Sequence, residues 1–210
     1  MNGNIAKALL TIGAVSLKPN APFTWSSGLK SPIYCDNRLT MSYPEVRDSI
    51  ANQFANEIKE RYSEAEVIAG TATAGIPHAA WVADKLGLPM IYIRSKAKGH
   101  GKQNMIEGVL ESGKKVVVIE DLISTGGSSI QAANAVREAG GDVIGVTSIF
   151  TYEFEIAKEA FKDANLRVSS LTTYSALLGE AVQMGKVEES DVPLLEKWSK
   201  DPQAWSDMQQ

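Results

Sequence analysis

Residues 116–128 read Val-Val-Val-Ile-Glu-Asp-Leu-Ile-Ser-Thr-Gly-Gly-Ser, and no other stretch of the chain constrains its fold as tightly. Aliphatic residues end abruptly in two acids. A short hydroxyl- and glycine-rich segment then leads into a helical pattern over Ser128–Ala139, closed by Gly140 and Gly141. The Val-rich run predicts a strand, Val116–Ile119, buried on both faces of a parallel sheet. Open α/β sheets bind ligands at the carboxyl ends of such strands. At this end two carboxylates suit hydroxyls or a metal, and a cradle of backbone N–H groups before a helix suits a phosphate. A ligand that needs both at once is a sugar phosphate.

The flanking sequence alternates in the same way. Strands are expected at Val67–Ala69, Pro89–Ile93, Ile106–Leu110, Val143–Phe150 and Arg167–Leu171, and helices at Ile76–Leu86 and Glu153–Asp163. Pro44–Tyr62 reads as a helix with proline in its first turn and an apolar stripe at Val46, Ile50, Phe54 and Ile58. Strands and helices alternating at this spacing predict an α/β fold with a parallel sheet flanked by helices. The first forty residues lie outside the alternation. Ile5, Ala8, Leu9 and Ile12 recur at helical spacing up to Gly13, and residues 18–34 predict two short extended pieces joined by a Ser-Gly turn. Two further helices are expected at Tyr174–Met184 and Asp191–Trp198. The expected organisation is a small N-terminal hood over residues 1–42, an α/β core over 43–172 and C-terminal helices over 173–210.

Hydrophobic residues make up 44% of the 210, enough for a core, and the net charge of −4 argues against a generally basic nucleic-acid surface. Cys35 is the only cysteine, which rules out an intrachain disulfide and a zinc site built of cysteines. The apolar N-terminal stretch Ile5–Leu17 is interrupted by Lys7, Thr11 and Gly13, and no apolar segment is long enough to span a bilayer, so a cytoplasmic protein with no membrane partner is expected. No G-x-x-x-x-G-K-[ST] loop occurs, and residues 99–104, Gly-His-Gly-Lys-Gln-Asn, fail the dinucleotide pattern at its last glycine. Trp81, Trp198, Trp205 and His78 are expected to be packing residues.

Glu120–Ser128 resembles the phosphoribosyl pyrophosphate (PRPP) signature of type I phosphoribosyltransferases. Two other segments are similar to the orotate-using members of that family: Arg94-Ser-Lys-Ala-Lys-Gly-His-Gly101, like their catalytic loop, and Phe23-Thr-Trp-Ser-Ser-Gly-Leu-Lys-Ser-Pro32, like their N-terminal substrate segment. The resemblance runs from about Ile5 to about Leu178. It implies a type I phosphoribosyltransferase-like sheet with an N-terminal hood, and transfer of the phosphoribosyl group of PRPP to orotate in pyrimidine biosynthesis. It implies PRPP binding by Arg94, Lys98, His100 and the run Glu120, Asp121, Leu122, Ile123, Ser124, Thr125, Gly126, Gly127 and Ser128, with Lys98 and Asp121 as the catalytic pair. Orotate would meet Ser124 first, with Lys30, Tyr34 and Cys35 as secondary contacts. Gly70–Gly75 occupies the place of the pyrophosphate loop. Mg2+ is implied mainly through PRPP and water, with no dedicated protein ligand. A homodimer is implied in which the loop 94–104 completes the neighbouring active site. Ser26 and Tyr152 stand where another branch of the family carries a lysine and an arginine. A salvage enzyme for another base and a PRPP-sensing regulator are the rival readings. The N-terminal segment argues against the first, and the acidic pI of about 5.3 with the intact basic loop argues against the second.

Overall fold

A computed structural model describes residues 4–25, 27–95 and 105–209. The chain opens with α1 (Ile5–Thr11), capped by Asn4, whose side chain accepts a hydrogen bond from the Lys7 amide. Where two extended pieces were expected there are four short strands in two antiparallel pairs. β1 (Val15–Leu17) pairs with β4 (Ile33–Cys35), and between them β2 (Phe23–Thr24) pairs with β3 (Lys30–Ser31). Pro19, Pro22 and Pro32 withhold backbone donors along this stretch, which keeps each piece to two or three residues. A 3-10 segment, Asn37–Ser42, leads into α2 (Pro44–Arg61), whose Ile50, Phe54 and Ile58 are buried as the stripe predicts.

The alternating region follows: β5 (Val67–Thr71), α3 (Gly75–Leu86), β6 (Met90–Ile93), β7 (Ile106–Glu107), β8 (Lys115–Ile123), α4 (Gly127–Glu138), β9 (Asp142–Thr151), α5 (Glu155–Asp163) and β10 (Val168–Thr173). The six strands lie in the order β10-β9-β8-β5-β6-β7, parallel except that β7 runs antiparallel to β6 at the edge. β8 buries both faces: Val117 and Ile119 join one apolar cluster with α1, α2 and α3, while Val116 and Val118 join another with α4 and α5.

Most element ends fall within two residues of expectation, β5 for instance running on through Gly70 to Thr71, and two lengths differ more. β7 is two residues long rather than five, as suits an edge strand. β8 does not stop at Ile119. It runs through both acids to Ile123, laddered on β9 with Leu122 opposite Phe150 and Ile123 opposite Thr151, so the turn begins at Ser124. An acid can end a strand or sit within it, provided its side chain has somewhere polar to point.

The tail forms α6 (Tyr174–Gln183), α7 (Val192–Lys200) and a further helix that apolar periodicity does not reveal, α8 (Pro202–Asp207). This last helix packs on β3, where the Lys30 amide donates to Ser206 Oγ at 2.8 Å. Trp198 and Trp205 are fully buried, as expected of packing residues. Among the described residues no helix is long and apolar enough to cross a membrane.

Candidate active site

The strand order fixes where a ligand fits. From β5 the chain moves outward to β6 and β7, and from β8 it moves the other way to β9 and β10. Loops leaving the carboxyl ends of β5 and β8 therefore diverge from adjacent strands and leave a crevice between them. The β5 loop, residues 72–74, contains a cis peptide between Ala72 and Thr73. It is tied to its neighbour by Thr71 Oγ1, which donates to the Ile119 carbonyl at 2.7 Å. Gly75 makes the approach possible: a Cβ there would lie 2.6 Å from the Ile119 oxygen.

Glu120 and Asp121 lie near the carboxyl end of β8 on its opposite faces, because successive strand residues alternate, and neither lines the cavities described below. Glu120 is 5% exposed and turns toward α4. Its Oε2 accepts from Ser128 Oγ at 3.2 Å and Ser129 Oγ at 3.1 Å, and its Oε1 accepts from the Asp121 amide at 3.0 Å. Burial, reinforced by the charge of Asp121, pushes its carboxyl up to about 7. Asp121 is half-buried and faces the hood. Burial raises its carboxyl too, against the lowering effect of its hydrogen bonds and of Arg38. Its carbonyl accepts from Asn37 Nδ2 at 2.7 Å, and Asn37 Oδ1 accepts from the Cys35 thiol at 3.4 Å.

The pH dependence of stability follows from Glu120. Its pKa in the fold lies above the ordinary glutamate value, so the unionised form is favoured by folding. The corresponding stability is present below about 4.5 and is lost as the pH rises through about 7. Glu120→Gln is expected to melt close to wild type near pH 4.5 and several degrees higher above pH 7, a gain on the order of 2 kcal/mol. Thermal unfolding of both proteins without ligand checks this. Two melting curves that stay parallel across the range contradict it.

Between β8 and α4 the turn Ser124–Gly126 ends at a helix N-terminus. Gly126 adopts φ +84°, and a Cβ on it would press on the Phe161 ring at 2.8 Å, so this glycine answers to backbone geometry and to α5 behind it. A Cβ on Gly127 would meet open space. The turn lies between two cavities. The smaller, about 40 Å³, is lined by Thr71, Ala72, Arg94, Ser95, Ser128 and Gln131 among others. The larger, about 810 Å³, runs from Ser124 and Thr125 under the β2–β3 turn to Phe154, Lys200 and Ser206.

The expected site residues therefore divide. Arg94 and Ser128 face the small cavity, and Ser124 and Thr125 face the large one. Leu122 and Ile123 lie on β8 with their side chains in the two apolar clusters, so any contact they make with a ligand is through the backbone. Lys30 Nζ donates to Thr24 Oγ1 at 2.9 Å, and Tyr34 is exposed beside the Phe23 ring. Burial pushes the Cys35 thiol up, which keeps it protonated and a hydrogen-bond donor. Lys98 and His100 lie outside the described residues, as does Ser26. Tyr152 is buried, stacked on Phe154 and tilted against Trp25, with its phenol raised by burial. His78, also buried, meets Thr40 Oγ1 at 3.3 Å and is held down to about 4 by burial, in line with a packing role.

Sequence reading missed Asn37 and Ser129. Ser129 could have been found, since it follows Ser128 at the helix start. Asn37 carries no local signal, whereas Trp25 lies within the Phe23–Pro32 segment.

Comparison with known proteins places the fold in a family. The phosphoribosyl transferase domain family matches residues 42–175. The chain belongs to that family. It is 61% identical over 201 residues to the orotate phosphoribosyltransferase of Enterococcus faecalis, with 96% of each chain covered. It is 59% identical over 207 residues to that of Bacillus cereus, covering 98% of this chain and 99% of the other. The crystal structure of orotate phosphoribosyltransferase from Aeropyrum pernix superposes with a TM-score of 0.75 at 29% identity, covering 86% of this chain and 98% of that one. Within the family, the chain is thus a member of the orotate phosphoribosyltransferases, enzymes of pyrimidine biosynthesis.

Proposed function

We propose that the chain binds PRPP across the β8–α4 turn and transfers its phosphoribosyl group to orotate, giving orotidine monophosphate and pyrophosphate. One observation carries the reading: a buried and a half-buried carboxylate at the end of β8 are followed, after a short turn, by a glycine-containing helix N-terminus at the switch point between β5 and β8. A ring nitrogen of orotate attacks the anomeric carbon of PRPP and gives up its proton to the departing pyrophosphate, whose bond to carbon breaks with the electron pair leaving on oxygen. The transition state has oxocarbenium character. Asp121 and Glu120 accept hydrogen bonds from the ribose hydroxyls, and the Asp121 charge favours the positive carbon. Backbone amides of residues 124–128 with the Thr125 and Ser128 hydroxyls take the ribose phosphate. To reach it, Ser128 gives up its bond to Glu120. Arg94 at the small cavity, with Lys98 and His100, neutralises the departing pyrophosphate, and Lys98 acts as the catalytic cation.

Glu120 and Asp121 offer the hard oxygen donors that suit Mg2+, and among the described residues no group of three potential ligands gathers to cage it. Such a donor set fits a cation carried by pyrophosphate and water. When bound, it offsets charge on the leaving group. The protein acts in the cytoplasm as a homodimer in which the loop 94–104 of each subunit serves the other's site, and it uses neither nucleic acid nor membrane as a partner. The hood, residues 1–42, closes the base side.

Assaying a panel of bases for PRPP-dependent pyrophosphate release tests the assignment. Release with orotate, and little with uracil, adenine or hypoxanthine, is expected. Preferential release with a purine would make this a salvage enzyme.

A further inference from the structure

Orotate differs from the other common pyrimidines by a ring carboxylate. An anion inside a partly apolar cavity needs a cation or several donors to offset its desolvation. The larger cavity, at about 810 Å³, has the volume of a small-molecule site. Trp25, Leu29, Phe154 and Ile156 give it apolar walls suited to a flat ring. Its polar groups are mostly committed. Glu155 pairs with Lys158 at 2.9 Å, Asp201 caps α8 by accepting from the Ala204 amide at 2.9 Å, and Gln203 donates to Asp207 at 2.8 Å. Ser206 Oγ is occupied by the Lys30 amide.

One lining residue stands apart. Lys200, exposed on the last turn of α7, is the only cation among the described residues that line this cavity, and its ammonium makes no ion pair or hydrogen bond with them. It shares the cavity with Ser124 and Thr125 of the β8–α4 turn. The two acids of the lining, Glu155 and Asp201, already have partners, so the ammonium is free to meet an incoming anion.

We propose that Lys200 is a specificity-determining residue that recognises the carboxylate of the base, so that the C-terminal segment 200–206 forms the far wall of the base subsite. The inference rests on the functional reading above. The β2–β3 turn forms the near wall, and the Lys30–Ser206 hydrogen bond fixes the two walls relative to each other. A carboxylate held by one lysine selects orotate over uracil by charge, while the aromatic and aliphatic walls accept either ring.

Steady-state kinetics of the full-length protein test this. Lys200→Ala is expected to raise the KM for orotate about tenfold, with the KM for PRPP and kcat within about twofold of wild type. Lys200→Arg should restore most of the loss, which a purely structural role would not require. An unchanged KM for orotate in Lys200→Ala overturns the proposal. So does an equal rise in the KM for PRPP, which would assign the lysine to the phosphate. Wild-type protein that forms no orotidine monophosphate overturns the functional reading and this inference together. Active wild type with an unaffected variant overturns the inference alone.

Discussion

Asp121→Asn is expected to lower turnover by on the order of a hundredfold or more while PRPP still binds. The substitution keeps the shape of the side chain and removes its charge. The residue sits within β8, which continues to the buried Ile123, and its own carbonyl is anchored by the buried Asn37, so the backbone has little room to adjust. Half-burial raises the weight of a single charge near the reacting carbon, because water screens it less there. Hydroxyl hydrogen bonds survive, since an amide oxygen also accepts, and PRPP affinity should fall far less than turnover. Stopped-assay kinetics combined with calorimetric titration of PRPP separate the two quantities. Turnover equal to wild type would remove Asp121 from the chemistry.

A larger effect is expected from mixing two inactive proteins. Lys98→Ala removes the proposed catalytic cation of the loop, and Asp121→Asn damages the proposed sugar site. If each loop serves the partner's crevice, a hybrid dimer carries both lesions in one site and none in the other. Random exchange of equal amounts then yields roughly a quarter of wild-type activity per site, from two preparations that each have almost none. Recovery should grow with the rate of subunit exchange, measured independently by labelling. No recovery after confirmed exchange would mean that each loop works within its own subunit.

The sheet was legible because its signal is local. A strand such as Val116–Ile119 declares itself through uninterrupted aliphatics, and the stripe Ile50, Phe54 and Ile58 declares α2 in the same way. Strand ends were less so. Glu120 and Asp121 look like a terminus, but Ser128 and Ser129 on α4 give the first acid a polar place to point, so the ladder continues. That compensation lies eight residues on and has no period. The six residues of α8 contain too few apolar positions to show one either, and its burial depends on β3, far away in the chain. The phosphate end of the site was readable because its residues are contiguous. The larger cavity was less so, since Trp25 and Lys200, far apart in the chain, come to line it together only in the fold.

The hydrogen bond from Lys30 to Ser206 has a consequence for biosynthesis. A nascent chain emerges amino end first, so every strand of the sheet is synthesised before α8. The wall of the larger cavity built by residues 200–206 is therefore added after the strands. A polypeptide released early, near the α7–α8 junction, would carry the β8–α4 turn with that cavity open to bulk water.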